Sequence, residues 1–410
     1  MLYWLIQYLF LRHKVDNNKV AKGEVIVGNG HFYSEEHNAF RDMMRKFVQK
    51  EIQPHAEEWE EQGCYDKAIF RRMGELGLLG INYPAEYGGS DADLKTQLVF
   101  WEELSLSGLS GTAMSIMVHT DFATASLVHA GSAALKEKYV PHVCSGEKLF
   151  AVGITEPNYG SDAASIETKA VLEGDYYRVN GAKMFITNGT KADVVNTVVR
   201  TGGPGPKGIS LLLVDTDTKG FSVGKKLHKM GMLSSDTAEL VYEDCLVPKE
   251  NLIGEEGKGF YALMGGLERE RLCGAVLSYC MAQVALEDTI EYAKQRRQFG
   301  APIVAFQAVS HMIAEMATEI EAGRQLAYHA ASLMEAGVKC NKEAAMAKYW
   351  CAEMLLRVVD KAVQIHGGYG FIREYRVERL YRDAKLQTIG GGTNQIMRTV
   401  IASEMGLRVK

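Results

Sequence analysis

A chain of 410 residues, 47% hydrophobic and 24% charged, has ample length for a large core and the composition of an ordinary globular protein. Its formal net charge of −5 at pH 7 gives no electrostatic ground for binding nucleic acid or an anionic membrane. The seven cysteines, at 64, 144, 245, 273, 280, 340 and 351, form no CxxC pair and no zinc spacing, and read as reduced thiols with no metal to hold. A bacterial cytoplasm is the expected location, with the mitochondrial matrix as the alternative.

Residues 1–32 read as an N-terminal extension. "MLYWLIQYLFLRHK" is an apolar run followed by basic residues, too short to span a bilayer. It lacks both the features of a secretory signal and the Arg/Ser-rich pattern of a transit peptide. Translation from an upstream start and association with a surface or lipid are both open readings.

Residues 33–149 form the first domain by pattern, and it is helical. "SEEHNAFRDMMRKFVQKEI" opens on a Ser34 N-cap, and Phe40, Met43, Met44, Phe47 and Val48 recur at helical spacing. After the break "NYPAEYGGSDAD", two more helices carry "LKTQLVFWEELS" and the Ala-rich run 111–130. In residues 150–256 the period changes. "TKAVLEGDYYRVNGAKMFITNG" alternates and is punctuated by the hairpin signals Gly-Asp and Asn-Gly, and "ADVVNTVVR", "GISLLLVD", "FSVGKKL" and "TAELVYEDCLVP" are further strands. Strands in succession without helices between them predict an antiparallel sandwich or barrel. Residues 257–410 return to the helical period in four long segments, 259–297, 304–336, 341–366 and 373–386, followed by a loop and a short helix. The predicted class is α+β, with a β unit between two helical ones.

"GPGPKG", residues 203–208, has the form GxGxxG but lies between strands, and its prolines remove amides that would cradle a pyrophosphate; it is a hairpin loop. "FAVGITEPNYGSD", residues 150–162, gathers hydroxyls and free amides at a strand end. That suits a flat polar ligand, and equally a capped loop. "QIHGGYG", residues 364–370, ends a helix with glycines that serve either as a C-cap or as a close approach to a ligand. In "MGGLERERLCG", helical geometry places Glu270 in the apolar stripe with Leu263, Leu277 and Met281, without a basic residue at i±3 or i±4. Glu268 points almost opposite, where Arg271 can pair with it. A carboxylate on an apolar face is costly, so Glu270 has either a distant cationic partner or a chemical role.

"ITEPNYGSD", "KMFITNG", "LHKMG…SDTAEL", "QRRQFG", "QIHGGYG" and "GGGTNQIMR" occur in the order and spacing of acyl-CoA dehydrogenases, which the chain resembles from about Phe32 to Lys410. The resemblance implies an N-terminal helical domain, a middle β-barrel-like domain and a C-terminal four-helix bundle. It implies FAD held by Val152, Ile154, Thr155 and Ser161, by Phe185, Ile186 and Thr187, by Arg296, Phe299 and Gln307, by Gln364, Ile365, His366, Gly367 and Gly368, and by Thr393 and Gln395. Part of this set would come from a neighbouring subunit. Ser161, Tyr261, Glu268, Arg271 and Gly392 would contact substrate.

Many members carry the catalytic glutamate in the last loop as Tyr-Glu-Gly-Thr, where this chain has Gly390, Gly391, Gly392 and Thr393. The long-chain and isovaleryl types instead resemble it in having the base within a helix as Glu-Arg-Leu, here Glu270-Arg271-Leu272. The resemblance therefore implies Glu270 as base and the Gly391 N–H as a donor to the thioester oxygen. It implies a trans-2-enoyl-CoA product, electrons passed to electron-transfer flavoprotein, and a homotetramer, with a dimer as the alternative. The overall likeness leans to the long-chain type, although Glu268 stands where that type has proline. A branched-chain dehydrogenase and a flavin oxidase or monooxygenase remain open.

Overall fold

The structure, a computed structural model, describes residues 32–408. The expected extension falls, but for Phe32, outside the described residues. The chain divides into two compact units, Met1–Ala39 and Phe40–Lys410. In the described part of the first, Ser34 begins α1 (Glu35–Phe47) as a cap: its Oγ accepts from the His37 amide at 3.3 Å.

Within the second unit, α2 (Ala56–Gln62), α3 (Ala68–Glu75) and α4 (Leu94–Ser105) precede the Ala-rich run. That run is not the one continuous helix its composition predicts. It breaks into α5 (Ser110–Met117), a π-helical turn at Val118–Phe122, and α6 (Ala125–Ala130), before α7 (Ala133–Ser145). Local hydroxyls explain the break: Thr120 Oγ1 donates to the Ile116 carbonyl at 3.1 Å and Thr124 Oγ1 to the His119 carbonyl at 3.0 Å, in competition with the helical ladder.

The middle segment contains β1 (Phe150–Gly153), β2 (Lys169–Glu173), β3 (Tyr176–Thr187), β4 (Val194–Arg200), β5 (Ile209–Asp215), β6 (Phe221–Lys226), β7 (Thr237–Pro248) and β8 (Leu252–Ile253). They form one sheet in the order β6-β7-β3-β2-β4-β5-β8, with β1 also on β4. The sheet is mixed rather than antiparallel: β1 runs parallel to β4 from Phe150↔Val194 to Gly153↔Thr197, and β2 meets β4 in parallel at Lys169↔Arg200. Residues 154–193 supply the long crossover that a parallel neighbour requires, and alternation along a strand carries no record of its partner's direction. β4 is buried from Val194 to Val199 because both its faces are covered. Val194 and Val198 join a core with Leu127, Tyr139, Leu211 and Leu263, while Val195 and Val199 join a second with Leu212, Val214 and Tyr242.

Gly174-Asp175 turns the β2–β3 hairpin, with Glu173 opposite Tyr176. Asn180-Gly181 does not turn. It lies inside β3 at a bulge against β7, where Gly181 has φ +150° and a Cβ would lie 2.6 Å from Thr168 Oγ1.

The C-terminal segment is built on α8 (Gly259–Gln295), packed against α9 (Gln307–Glu335), α10 (Asn341–His366) and α11 (Arg376–Gln387); α12 (Asn394–Glu404) packs on α10. α9 and α11 start three residues later than their patterns predict, because the turns at Ile303–Ala305 and Ile372–Tyr375 precede them. No helix among the described residues is long and apolar enough to cross a membrane.

Gly259 seats the start of α8 on β5: a Cβ there would lie 2.5 Å from the Ser210 carbonyl carbon. Gly259→Ala should therefore cost about 1–3 kcal/mol by overpacking. Thermal unfolding reads this, and an unchanged midpoint would show that the junction yields freely.

Candidate active site

Glu270 lies eleven residues after Gly259 in α8, which runs Gly259–Gln295. Beside it, Gly266 leaves the carboxylate room: a Cβ at Gly266 would lie 3.6 Å from Glu270 Oε1 and 3.8 Å from Ala125. Among the described residues Glu270 has no hydrogen bond or ion pair, so the distant partner that periodicity left open is absent. Burial pushes its carboxyl up to about 8; neighbouring Arg271 opposes this, and Asp121 adds to it.

Arg271 does not pair with Glu268, as spacing alone predicts. It is 6% exposed and donates to Asn341 Oδ1, whose Nδ2 in turn donates to Glu404 Oε1 at 2.5 Å, a chain that ties α8 to α10 and α12. Glu268 Oε2 instead accepts from Cys340 Sγ at 3.7 Å. Tertiary packing around Asn341 outweighs an i,i+3 pair of a few tenths of a kcal/mol. Tyr261, near the start of α8, is 50% exposed.

The loop between α11 and α12 contributes backbone. Gly391 and Gly392 have φ +62° and +89°, in the left-handed region that glycine occupies without strain. Thr393 caps α12 by accepting from the Ile396 amide at 3.2 Å, and Gln395 is exposed.

The expected cofactor residues fall into two groups. At the end of β1, Met184 N donates to the Thr155 carbonyl at 2.8 Å, which brings "ITEP" beside "FIT". There β3 has a second bulge between Lys183 and Ile186, and Phe185, at φ +62°, is turned out to 66% exposure. Thr155 and Thr187 are partly accessible and Ser161 is exposed, whereas Ile186 is buried and Val152 and Ile154 pack against the core.

The second group lines a cavity of about 430 Å³ that includes Tyr292, Arg296, Ile365, His366, Gly367 and Gly368. The Arg296 guanidinium lies over the Tyr369 ring, 5.4 Å from its centroid, and His366 stacks on Tyr292. A Cβ on Gly367 or Gly368 would meet nothing within 4 Å, so their backbone borders open space. A fixed guanidinium beside unobstructed backbone fits the phosphates of a dinucleotide. Gln364, Phe299 and Gln307 are exposed and not part of this wall; Phe299 sits at φ +48° on a small hairpin, 94% exposed.

Three features escaped the motif reading. Lys183, fully buried, donates to Glu156 Oε1 at 2.7 Å and to the Ile154 carbonyl at 3.2 Å, which fixes the "ITEP" turn from below. Asp121, in the π-turn, accepts from Trp101 Nε1 at 3.0 Å and from Arg269 Nε at 3.4 Å, behind the candidate base. Lys348 is buried in the bundle against the final loop. Each is a charge within an apolar stretch, the one sequence signal that marks them.

Three family models match in succession: the acyl-CoA dehydrogenase N-terminal domain over 34–147, the middle domain over 151–245 and the C-terminal domain over 257–406. An acyl-CoA dehydrogenase of Bacillus subtilis is 43% identical over 90% of this chain and 97% of its own. The crystal structure of acyl-CoA dehydrogenase from Geobacillus kaustophilus superposes with a TM-score of 0.89 at 43% identity, over 92% of this chain and 99% of that one. The acyl-CoA dehydrogenase from Bacillus anthracis, solved complexed with FAD, is 34% identical with a TM-score of 0.87, over 92% of this chain and 68% of that one. With the helix–sheet–helix order, the partnerless carboxylate and the phosphate-compatible cavity all in place, the chain belongs to the acyl-CoA dehydrogenase family, FAD-dependent oxidoreductases of acyl-CoA thioesters.

Proposed function

We propose that the chain oxidises a long-chain acyl-CoA to the trans-2-enoyl-CoA with Glu270 as base, and the observation that carries this is the Glu270 carboxylate beside Gly266, without a partner among the described residues and with its pKa raised by burial. The α-proton of a thioester is weakly acidic, so its removal needs a basic carboxylate and a donor for the incipient enolate. Glu270 takes the proton. The Gly391 N–H, which has no acceptor among the described residues, is the donor to the thioester oxygen. Bound FAD supplies the oxidant that takes the β-hydride. Arg296, Gly367 and Gly368 would hold its phosphates, and Thr155, Phe185 and Thr187 would flank its flavin end.

Room near the reacting carbons supports a large acyl group: a Cβ at Gly265 or Gly391 would meet nothing within 4 Å. Overall identity does not choose the chain length. The mouse long-chain specific enzyme and the short-chain specific enzyme of Clostridium acetobutylicum are each 40% identical. Electron-transfer flavoprotein is the proposed acceptor, and a solved relative from the Acidaminococcus fermentans electron transferring flavoprotein work, 40% identical, supports it. Exposed Phe299 and Phe371, at 94% and 87%, suit burial in a homotetramer. The free, buried state of all seven cysteines supports a reducing compartment such as the bacterial cytoplasm.

Anaerobic addition of palmitoyl-, octanoyl- and isovaleryl-CoA to the flavoprotein tests the reading. Palmitoyl-CoA should bleach the flavin fastest, and Glu270→Gln should slow bleaching by at least ~10³-fold. Bleaching by isovaleryl-CoA alone would replace the long-chain assignment, and a flavin that no thioester bleaches would overturn the dehydrogenase reading.

Because the base acts deprotonated, kcat/KM should rise with pH through about 8. The same shift has a stability consequence. A folded-state pKa raised from 4.5 to about 8 means that the native state binds the extra proton across that window, so stability falls as pH rises through it. Glu270→Gln should therefore melt above wild type at pH 8.5 and level with it at pH 4. Equal melting points at both pH values would refute the raised pKa.

A further inference from the structure

Lys348 occupies an unusual position in α10. It is 3% exposed, among Ala344, Ala345, Cys351 and Ala352, which are all buried. No carboxylate is paired with it among the described residues. Its Nζ donates to the Gly392 carbonyl at 2.6 Å and lies 3.4 Å from Asn394 Oδ1. A methionine would fill the same volume at no electrostatic cost, so a lone ammonium here calls for a function. Burial, with nearby Arg271 adding to it, lowers its pKa to about 8.

The loop it grips is otherwise held at its two ends, where the Asn394 amide donates to the Thr388 carbonyl at 3.1 Å. Upstream, the Gly390 amide donates to the Leu386 carbonyl at 2.8 Å. The amides of Gly391, Gly392 and Thr393 have no acceptor among the described residues. A Cβ on Gly391 would meet nothing within 4 Å, so no packing on that side holds its peptide plane in place. Downstream, Asn394 is anchored by its Nδ2 donating to Glu353 Oε1 at 3.0 Å. Lys348 closes the span at Gly392, one residue beyond the proposed donor.

The same side chain connects this loop to the base. Gly274 is four residues after Glu270, on the same face of α8. A Cβ there would meet Lys348 Cγ at 3.8 Å. The lysine stem thus runs along the face of α8 that carries Glu270, while its head sets the glycine loop.

We propose that Lys348 is a positioning residue for α-proton abstraction: it clamps the Gly392 carbonyl so that the free Gly391 N–H is held toward the thioester oxygen. The inference rests on the acyl-CoA dehydrogenase reading with Glu270 as base. The step concerned breaks the C2–H bond, places the proton on the Glu270 carboxylate and leaves the electron pair delocalised onto the thioester oxygen. It involves no net oxidation.

The experiment uses the FAD-loaded enzyme with palmitoyl-CoA and with 3-thiapalmitoyl-CoA, whose sulfur at position 3 has no hydride to give but whose α-protons remain acidic. Exchange of those protons in D2O, followed by NMR, reports enolate formation separately from flavin reduction. Lys348→Met should lower exchange and flavin reduction together by roughly 10–100-fold. Flavin content and KM for palmitoyl-CoA should stay within about threefold of wild type, and the pH midpoint from Glu270 should not move. Lys348→Gln, which keeps an N–H donor, should recover part of the loss. If Lys348→Met fails to fold, Lys348→Gln against wild type carries the test through the same exchange and KM measurements.

Exchange within twofold of wild type in the folded variants would overturn the clamp, as would a loss confined to KM or to flavin content. Glu270→Gln is measured alongside. If it exchanges at the wild-type rate, the underlying reading fails, whatever Lys348 does. If it loses exchange while Lys348→Met retains it, only the clamp fails.

Discussion

An ionisable carboxylate kept without a partner on the inner face of a 37-residue helix is the constraint around which this molecule is arranged. Such a group destabilises its surroundings, and only a large bundle can retain it. α8 provides that by packing α9, α10 and α11 along its length, with Leu272, Val276, Leu277 and Met281 fully buried further along the helix. Glycines at 266 and 274, one turn to either side, leave space along the same face. The arrangement keeps the carboxyl desolvated, and desolvation makes it basic enough for a weak carbon acid.

In the proposed reaction the polar partners come from backbone rather than side chains. The loop 390–392 has three glycines, and the amides of Gly391 and Gly392 have no acceptor among the described residues, so it can present donors without a side chain in the way. Flexible backbone needs fixing from outside, and two buried lysines do this in different ways. Lys183 is neutralised by Glu156 as it grips the "ITEP" turn, at 2.7 Å. Lys348 has no such carboxylate among the described residues and donates there to the Gly392 carbonyl and the Asn394 amide oxygen. A paired lysine adds rigidity at little electrostatic cost, whereas an unpaired one keeps its charge uncompensated.

The sheet solves a different problem, that of exposing an aromatic ring without breaking a long strand. β3 runs twelve residues, but its bulges at Val179/Gly181 and Lys183/Ile186 re-aim the side chains between them. Phe185 faces out from a strand whose neighbours Lys183 and Ile186 are buried. The parallel entry of β1 beside β4 sets "ITEP" at the sheet end next to this outward ring, so residues thirty apart in sequence share one surface.

Much of this was readable from the chain. Helical and two-residue periods gave the helix–sheet–helix order, and geometry alone placed Glu270 in the apolar stripe of α8 and its opposite, Glu268, outside it. Those signals survive because periodicity is a local property of the backbone. The direction of strand pairing, the bulge at Asn180-Gly181, the π-turn at Val118–Phe122 and the partners of Arg271 and Lys348 were not readable, because each depends on atoms far away in sequence. Arg271 shows the difference most directly: helical spacing offers it Glu268, and the fold gives it Asn341. By itself the sequence determined which residues carry charge on apolar faces, since that requires only a period and a composition. Only the tertiary structure decided which of those charges are satisfied, because satisfaction is a matter of distance between elements that the chain brings together late.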